Sequence, residues 1–252
     1  MFIRLGIIGG HGSNAAIELQ YYINEAINKR KNTRKYLKTI VINDATVNND
    51  NETVHNLYEN KTINKLMDKS IHDAYHNLVK MGCNIITIPC NTYSNLLSKN
   101  KTIAGVNIIN IIDVTRDWIN LQFPNIPKIG LIGTQQTINS HYYQDRLPNH
   151  NIICFEELKI EINTIILCAQ YGYYKKTPTA AILLKLQITE VDLLKTMNKI
   201  IDTFTQNGIN HLILGCTELP LFVKYNKEHL HPIIFIDTLK ILADKIIEPL
   251  LY

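Results

Sequence analysis

Short apolar runs, rich in Ile, Val and Leu, alternate along the chain with longer stretches whose apolar residues return every three or four positions. The short runs are apolar throughout, which is typical of parallel strands that are covered on both faces. They predict eight strands, at residues 3–9, 39–42, 85–89, 108–112, 128–132, 152–155, 211–214 and 233–236. The longer stretches predict helices, among them residues 13–28, 63–81, 160–170, 190–207 and 238–250.

This alternation predicts an α/β fold of two similar doubly wound domains with parallel sheets, because a parallel strand needs a crossover before the next one. We expect the boundary near residues 113–127. The first domain then comprises residues 1–113 with a returning C-terminal helix in 238–252, and the second comprises residues 114–237.

Internal similarity supports two equivalent halves. Three short matches recur in one order, pairing Gly6 with Gly130, Cys90 with Cys216 and Asp113 with Asp237, at offsets of 124, 126 and 124 residues. One order at nearly one offset indicates duplication. Duplicated sheets predict pseudo-twofold symmetry, with an active site in the cleft between the domains at the carboxyl ends of both sheets.

Cys90 and Cys216 are the strongest candidates for catalysis. Each follows an apolar strand and precedes a predicted helix start, where the helix N-terminus favours the reactive thiolate. Pseudo-twofold symmetry would set the two sulfurs on opposite sides of a bound molecule, so one thiolate removes a proton while the opposing thiol delivers another. The other cysteines, Cys83, Cys154 and Cys168, lie within predicted elements and are interpreted as core residues.

Polar residues at strand ends complete the predicted site. The candidate substrate contacts are His11, Asn91, Thr92, Thr134, Thr217 and Glu218. The Asn and Thr side chains can donate hydrogen bonds to a carboxylate, and Glu218 is expected to orient the second cysteine or a helper group. His11 stands in the glycine turn of residues 9–13, with Ser13 or Asn14 as helix N-cap, a geometry that suits an anion.

Composition narrows the class of protein. The 252 residues are 46% hydrophobic and carry a net charge of +4, which suits a folded chain and indicates no nucleic-acid partner. The dense basic stretch at residues 29–38 is interpreted as a solvated loop. No apolar run reaches the roughly 18–20 residues of a membrane helix. Widely spaced cysteines and the glycine spacing predict no disulfide framework, metal site or nucleotide cofactor, and we expect a cytoplasmic protein.

Four motifs resemble those of the cofactor-independent aspartate/glutamate racemase family, and the resemblance extends over nearly the whole chain. Residues 9–13 are similar to the family's Gly-Gly-Met-Gly-Pro turn, with His11 in place of Met, and Tyr93 stands where relatives commonly carry His. Residues 89–92 match Pro-Cys-Asn-Thr, and residues 130–137 are similar to Gly-Leu-Leu-Ala-Thr-x-x-Thr. Residues 214–220 match Leu-Gly-Cys-Thr-Glu-Leu-Pro without a change.

The resemblance implies a two-domain enzyme that interconverts the L and D enantiomers of aspartate or glutamate. It implies two cysteine bases, no pyridoxal phosphate or other cofactor, and a homodimer. The expected ligand is a small amino acid.

The sequence departs from the family at two positions where relatives carry a positive residue, which bears on the choice of substrate. Aspartate-specific relatives hold a carboxylate with the arginine of an Asp-Arg-Thr segment, and the best match here has Glu52 in its place. A lysine common in the second half is matched by Gln170. Candidates for replacement charge are His55, Lys61, Lys175 and Lys176, and the sequence selects none of them.

Two alternatives stay open. A related carboxylate isomerase of the same superfamily uses one cysteine or two, and a catalytically silent small-acid binding protein would account for the lost cations. Two cysteines at equivalent places favour the racemase.

Overall fold

A computed structural model describes residues 3–11, 14–29, 37–44, 61–98, 105–170 and 188–250. The chain divides into two compact units. The first comprises Met1–Thr115 with Leu239–Tyr252, and the second comprises Arg116–Thr238.

Each unit contains a four-stranded parallel sheet. The strands are β1 Arg4–Gly9, β2 Lys38–Asn43, β3 Ile85–Thr87, β4 Asn107–Ile109, β5 Lys128–Gly133, β6 Asn151–Ile153, β7 His211–Gly215 and β8 Ile234–Asp237. The order is β2-β1-β3-β4 in one sheet and β6-β5-β7-β8 in the other, which is the same arrangement. The predicted fold class is confirmed.

Helices connect the strands and cover the sheets. They are α1 Ala15–Lys29, α2 Lys61–Lys80, α3 Asn95–Ser98, α4 Ile111–Gln122, α5 Gln135–Asn139, α6 Tyr142–Arg146, α7 Lys159–Gln170, α8 Glu190–Gln206, α9 Leu219–Asn226 and α10 Thr238–Ile247. The five long helices expected from periodicity are present. Helices α3, α5 and α6 have four or five residues each, too few to display a 3.6-residue period.

The strand predicted at residues 108–112 was wrong at its end, because β4 stops at Ile109 and α4 begins at Ile111. Asn110 decides this boundary. Its side-chain oxygen accepts hydrogen bonds from the backbone nitrogens of Ile112, at 2.8 Å, and Asp113, at 3.3 Å, which caps the helix. The apolar Ile111 and Ile112 therefore belong to a buried helical turn.

Burial follows the order of the strands. Every residue of β3 is buried, as are all but the first residues of β1, β5 and β7, whereas the edge strand β2 has no fully buried residue. Inner strands of a parallel sheet are covered on both faces, which explains their uninterrupted apolar sequence.

Glycines in the inner strands make room for the covering helices. A Cβ added to Gly6 would lie 2.9 Å from a methyl group of Leu78 in α2, and one added to Gly130 would lie 2.7 Å from the ring of Phe204 in α8. Both units thus combine a strand glycine with a large apolar side chain at an equivalent place on the covering helix.

No helix among the described ranges combines the length and the apolar character needed to cross a bilayer. In the basic stretch, Lys29 ends α1 and Lys38 begins β2, and residues 30–36 lie outside the described residues.

We expect Gly130→Ala to lower the free energy of unfolding by about 1–3 kcal/mol, the usual cost of overpacking a core. Gly6→Ala should cost less, because a leucine methyl can change rotamer more easily than a phenyl ring can shift. Urea unfolding of both variants measures the difference. Equal losses, or none at Gly130, would contradict this account of helix packing.

Candidate active site

Parallel pairing brings the ends of three neighbouring strands to one edge of the first sheet. Gly9 of β1 pairs with Asn43 of β2, and Ile7 pairs with Thr87 of β3. The residues that follow these ends include four predicted site residues, His11, Cys90, Asn91 and Thr92, together with Asp44. The topology therefore collects them at the carboxyl edge of one sheet.

The second sheet collects the other four predicted residues in the same way. Gly133 of β5 pairs with Gly215 of β7, and a Cβ added to Gly133 would lie 3.0 Å from the carbonyl oxygen of Gly215. Thr134 and Cys216 directly follow this close pair, and Thr217 and Glu218 come next.

Thr134 is held rigidly as the N-cap of α5. Its buried Oγ1 accepts a hydrogen bond from the backbone nitrogen of Thr137 at 3.2 Å and lies 3.0 Å from the Oγ1 of Thr137. Because the cap fixes its rotamer, the hydroxyl has a defined position at the strand end.

Cys216 has a buried carboxyl as its partner. Its thiol donates a hydrogen bond of 3.0 Å to Oε2 of Glu218, and the Thr217 hydroxyl donates to the same oxygen at 3.4 Å. Glu218 is 2% exposed, and its Oε1 has no hydrogen-bond partner among the described residues.

Burial raises the pKa of Glu218, although the hydrogen bonds from Cys216, from the backbone and from Thr217 oppose this effect. A carboxylate of raised pKa is a stronger base than an ordinary glutamate. It lies within hydrogen-bond distance of the thiol, so Glu218 can accept the proton that Cys216 must lose to become a thiolate.

The loop after Cys90 differs from the predicted helix start. A turn over residues 91–94 comes first, in which the carbonyl of Cys90 accepts a hydrogen bond from the backbone nitrogen of Ser94 at 3.0 Å, and α3 begins only at Asn95. After Cys216, by contrast, α9 begins at Leu219 with Pro220 in its first turn, as predicted.

Asn110 anchors the Cys90 loop, and the sequence did not single it out. Its side-chain nitrogen donates to the carbonyl of Ser94 at 3.2 Å and to Oδ1 of Asn95 at 3.0 Å, while its oxygen caps α4. All of these bonds are buried. One amide thus ties the turn that carries Cys90 to the next helix.

His11 is buried between the ends of β2 and β3. Its ring centroid lies 5.5 Å from that of Tyr93, and burial lowers its pKa to about 4 against the opposing influence of Asp44. Asp44 in turn accepts a hydrogen bond of 2.7 Å from Ser70 of α2. Asp44 was missed as a candidate, although it directly follows an apolar strand.

Two of the remaining cysteines are core residues, as predicted. Cys83 and Cys168 are buried, but Cys154 is half-buried and lies just beyond β6. Burial raises the pKa of the Cys154 and Cys168 thiols to about 11. Within the described ranges, no three His, Cys, Asp or Glu side chains form a group that could hold a metal ion.

Several predicted features lie outside the described residues. They are Gly12 and Ser13 of the glycine turn, Glu52, and the candidate charges His55, Lys175 and Lys176. Lys61 begins α2, where its side chain is not described. Gln170 ends α7.

The class of protein is therefore a two-unit α/β protein. Each unit has a four-stranded parallel sheet of the same strand order and a cysteine beyond an inner strand. The chain belongs to the Asp/Glu/Hydantoin racemase family, whose model matches residues 8–246. The resemblance inferred from the four motifs is therefore confirmed.

A curated relative is a glutamate racemase of Sulfurihydrogenibium sp. (strain YO3AOP1), which is 28% identical over 169 residues. The match covers 65% of this chain and 57% of that enzyme, so the chain spans little more than half the length of this relative.

Solved structures share the fold. An aspartate racemase of Picrophilus torridus has a TM-score of 0.73 at 19% identity, covering 98% of this chain and 94% of that one. The glutamate racemase isoform RacE1 of Bacillus anthracis has a TM-score of 0.62 at 18% identity, covering 99% and 82%.

Glu218→Gln tests the buried carboxyl. Since the pKa of Glu218 is raised in the folded protein, the neutral carboxyl stabilises the fold. This stabilisation is complete below the ordinary glutamate pKa of 4.5 and is lost as the pH rises through the pKa of Glu218 in the folded protein. We expect the variant to be more stable than the native protein at pH 8 and no more stable at pH 4, measured by urea unfolding.

Glu161→Gln is the matched control with the opposite sign, because the hydrogen bond from Lys199 lowers the pKa of Glu161. This variant should be less stable than the native protein at pH 8, with the difference closing below pH 4.5. If the stability of both variants, relative to the native protein, changes with pH in the same direction, ionisation of Glu218 does not destabilise the fold.

Proposed function

We propose that this protein is a racemase that interconverts the L and D enantiomers of an acidic amino acid, aspartate or glutamate, with Cys90 and Cys216 as the two bases. One observation carries the proposal. Each of two sheets of identical strand order has a cysteine beyond the carboxyl end of the same inner strand, β3 in one and β7 in the other.

Family membership supports the reaction class, an isomerase. The names of the relatives support the substrate class, since one is a glutamate racemase and another an aspartate racemase. Both substrates are small amino acids with a second carboxylate in the side chain.

The proposed reaction is a pair of proton transfers at one carbon. The thiolate of one cysteine takes the α-proton from one face of the substrate, and the thiol of the other gives a proton to the opposite face. The carbon keeps one hydrogen and is inverted, while the two sulfurs exchange protonation states. Proton exchange with water then restores them, and pyridoxal phosphate has no part in these steps.

Negative charge grows on the α-carboxylate as the proton leaves, so fixed hydrogen-bond donors around it must supply much of the rate enhancement. We assign this role to Asn91 and Thr92 in the first unit and to Thr134 and Thr217 in the second, where the Thr217 hydroxyl exchanges its long 3.4 Å bond to Glu218 for one to the substrate. Three of them are buried at strand ends, and Thr92 is half-buried, which suits donors with defined positions.

Glu218 is proposed as a positioning residue for Cys216. Its carboxylate accepts the thiol proton and so prepares the thiolate that attacks the α-proton. Cys90 lies beside Tyr93, whose pKa is raised by burial and by the nearby Cys90. The two bases therefore have different partners within a duplicated framework.

Proton NMR in deuterated water tests the reaction directly. The reduced protein, without added pyridoxal phosphate, receives each enantiomer of aspartate and of glutamate separately. We expect the Cα proton signal of at least one amino acid to disappear, and chiral chromatography of the same sample to detect its other enantiomer. Ligand-induced stabilisation without any exchange would instead favour a silent binding protein.

Cys90→Ser and Cys216→Ser should each lower the rate of racemisation by about 10²–10⁴-fold, since general-base catalysis contributes that much and both faces need a base. Cys154→Ser, which changes a half-buried thiol outside the proposed site, is the matched control and should retain the native rate. Full turnover by either of the first two variants would overturn the two-base mechanism.

A further inference from the structure

His11 lies just beyond an inner strand of its sheet. It follows β1, which lies between β2 and β3, and it comes two residues after Gly9. Cys90 follows β3 at the same edge. A group at this point can reach a substrate whose α-carbon is beside Cys90.

The ring of His11 is buried but unsatisfied. The residue is 9% exposed, and neither Nδ1 nor Nε2 has a hydrogen-bond partner among the described residues. Buried polar groups are nearly always paired, because leaving them unpaired costs free energy. Two unpaired ring nitrogens at the sheet edge that also carries a candidate base therefore point to a ligand that supplies the missing partner.

The described titratable groups around His11 would all favour a positive charge on it. Asp44 faces it from the end of β2, fixed by Ser70, and acts on it electrostatically. Tyr93 faces it from the loop after β3 and keeps its proton because burial raises its pKa. These neighbours are anionic or neutral.

We propose that His11 recognises the side-chain carboxylate of the substrate and takes up one proton from solvent when a dicarboxylate amino acid binds. This rests on the proposed function, because it names the contact that selects an acidic substrate. The imidazole nitrogen gains the proton, no other bond breaks, and the resulting imidazolium donates a charge-assisted hydrogen bond to the carboxylate.

Burial and charge oppose each other at this residue, which makes its protonation depend on the ligand. Without a substrate carboxylate, burial keeps the ring neutral at physiological pH even though Asp44 favours the charged form. An opposite charge within about 4–6 Å favours the charged form.

Isothermal titration calorimetry with the native protein tests the proton uptake. Each titration uses an equilibrated mixture of D- and L-aspartate, or of D- and L-glutamate, so no net racemisation adds heat. The titrations are run at pH 7.5 in buffers of different ionisation enthalpy. We expect heats that follow the buffer with up to one proton taken up per ligand, and no such dependence with alanine, which lacks the side-chain carboxylate.

His11→Gln keeps a polar side chain but cannot be protonated. It should abolish the buffer dependence and weaken dicarboxylate binding at least about tenfold. The matched control is His211→Gln. His211 is also a histidine whose pKa is lowered by burial, but it begins β7, at the strand end opposite Cys216, so this variant should retain native uptake and affinity.

Calorimetry and Cα exchange of the native protein test the proposal even if the His11→Gln variant does not fold. Cα exchange with buffer-independent heats would overturn the role of His11 and leave the racemase standing. Proton uptake without Cα exchange would support the role of His11 and overturn racemisation. Absence of both binding and exchange for aspartate and glutamate would overturn both.

Discussion

The remaining structure depends on the parallel pairing of the inner strands. Glycines in these strands allow close packing of strands and covering helices. Gly6 and Gly130 leave room for Leu78 and Phe204 of the covering helices, and Gly133 approaches the backbone of Gly215. Because the strands run in one direction, each ends at the same edge of its sheet. Residues far apart in the chain become neighbours there, and every predicted site residue lies at one of these two edges.

The two sheets share one strand order, but the edges that carry the cysteines differ chemically. Beyond β7, Cys216 is buried against a carboxyl group that accepts a hydrogen bond from its thiol. Beyond β3, Cys90 stands in a turn held by the Asn110 amide and lies close to Tyr93, whose ring in turn contacts the buried His11. A reaction that removes a proton on one face and returns it on the other needs two bases, and it does not require that the two bases be activated by the same means.

In the proposed role of His11, burial would help to distinguish an acidic substrate from a neutral one. A permanent cation in an apolar site is costly unless a counter-ion is always present. A buried histidine is neutral without a ligand and becomes charged only beside an anion. A histidine of this kind avoids the free-energy cost of a permanent buried cation. It takes up a proton when the ligand binds, so the affinity for the ligand depends on pH.

The sequence by itself predicted the eight strands and the longer helices, because these depend on local periodicity. It also showed the internal repeat and the two candidate cysteines, because short motifs can be recognised without a structure. It misjudged the end of β4 and did not identify Asp44 or Asn110. Ile111 and Ile112 are apolar in a strand and in a buried helical turn alike, so only the cap from Asn110 decided between them. Contacts such as that of Asn110 with Ser94, or of His11 with Tyr93, join residues separated by many positions. Only strand pairing in the folded chain creates them, and with them the burial that shifts the pKa values of His11 and Glu218.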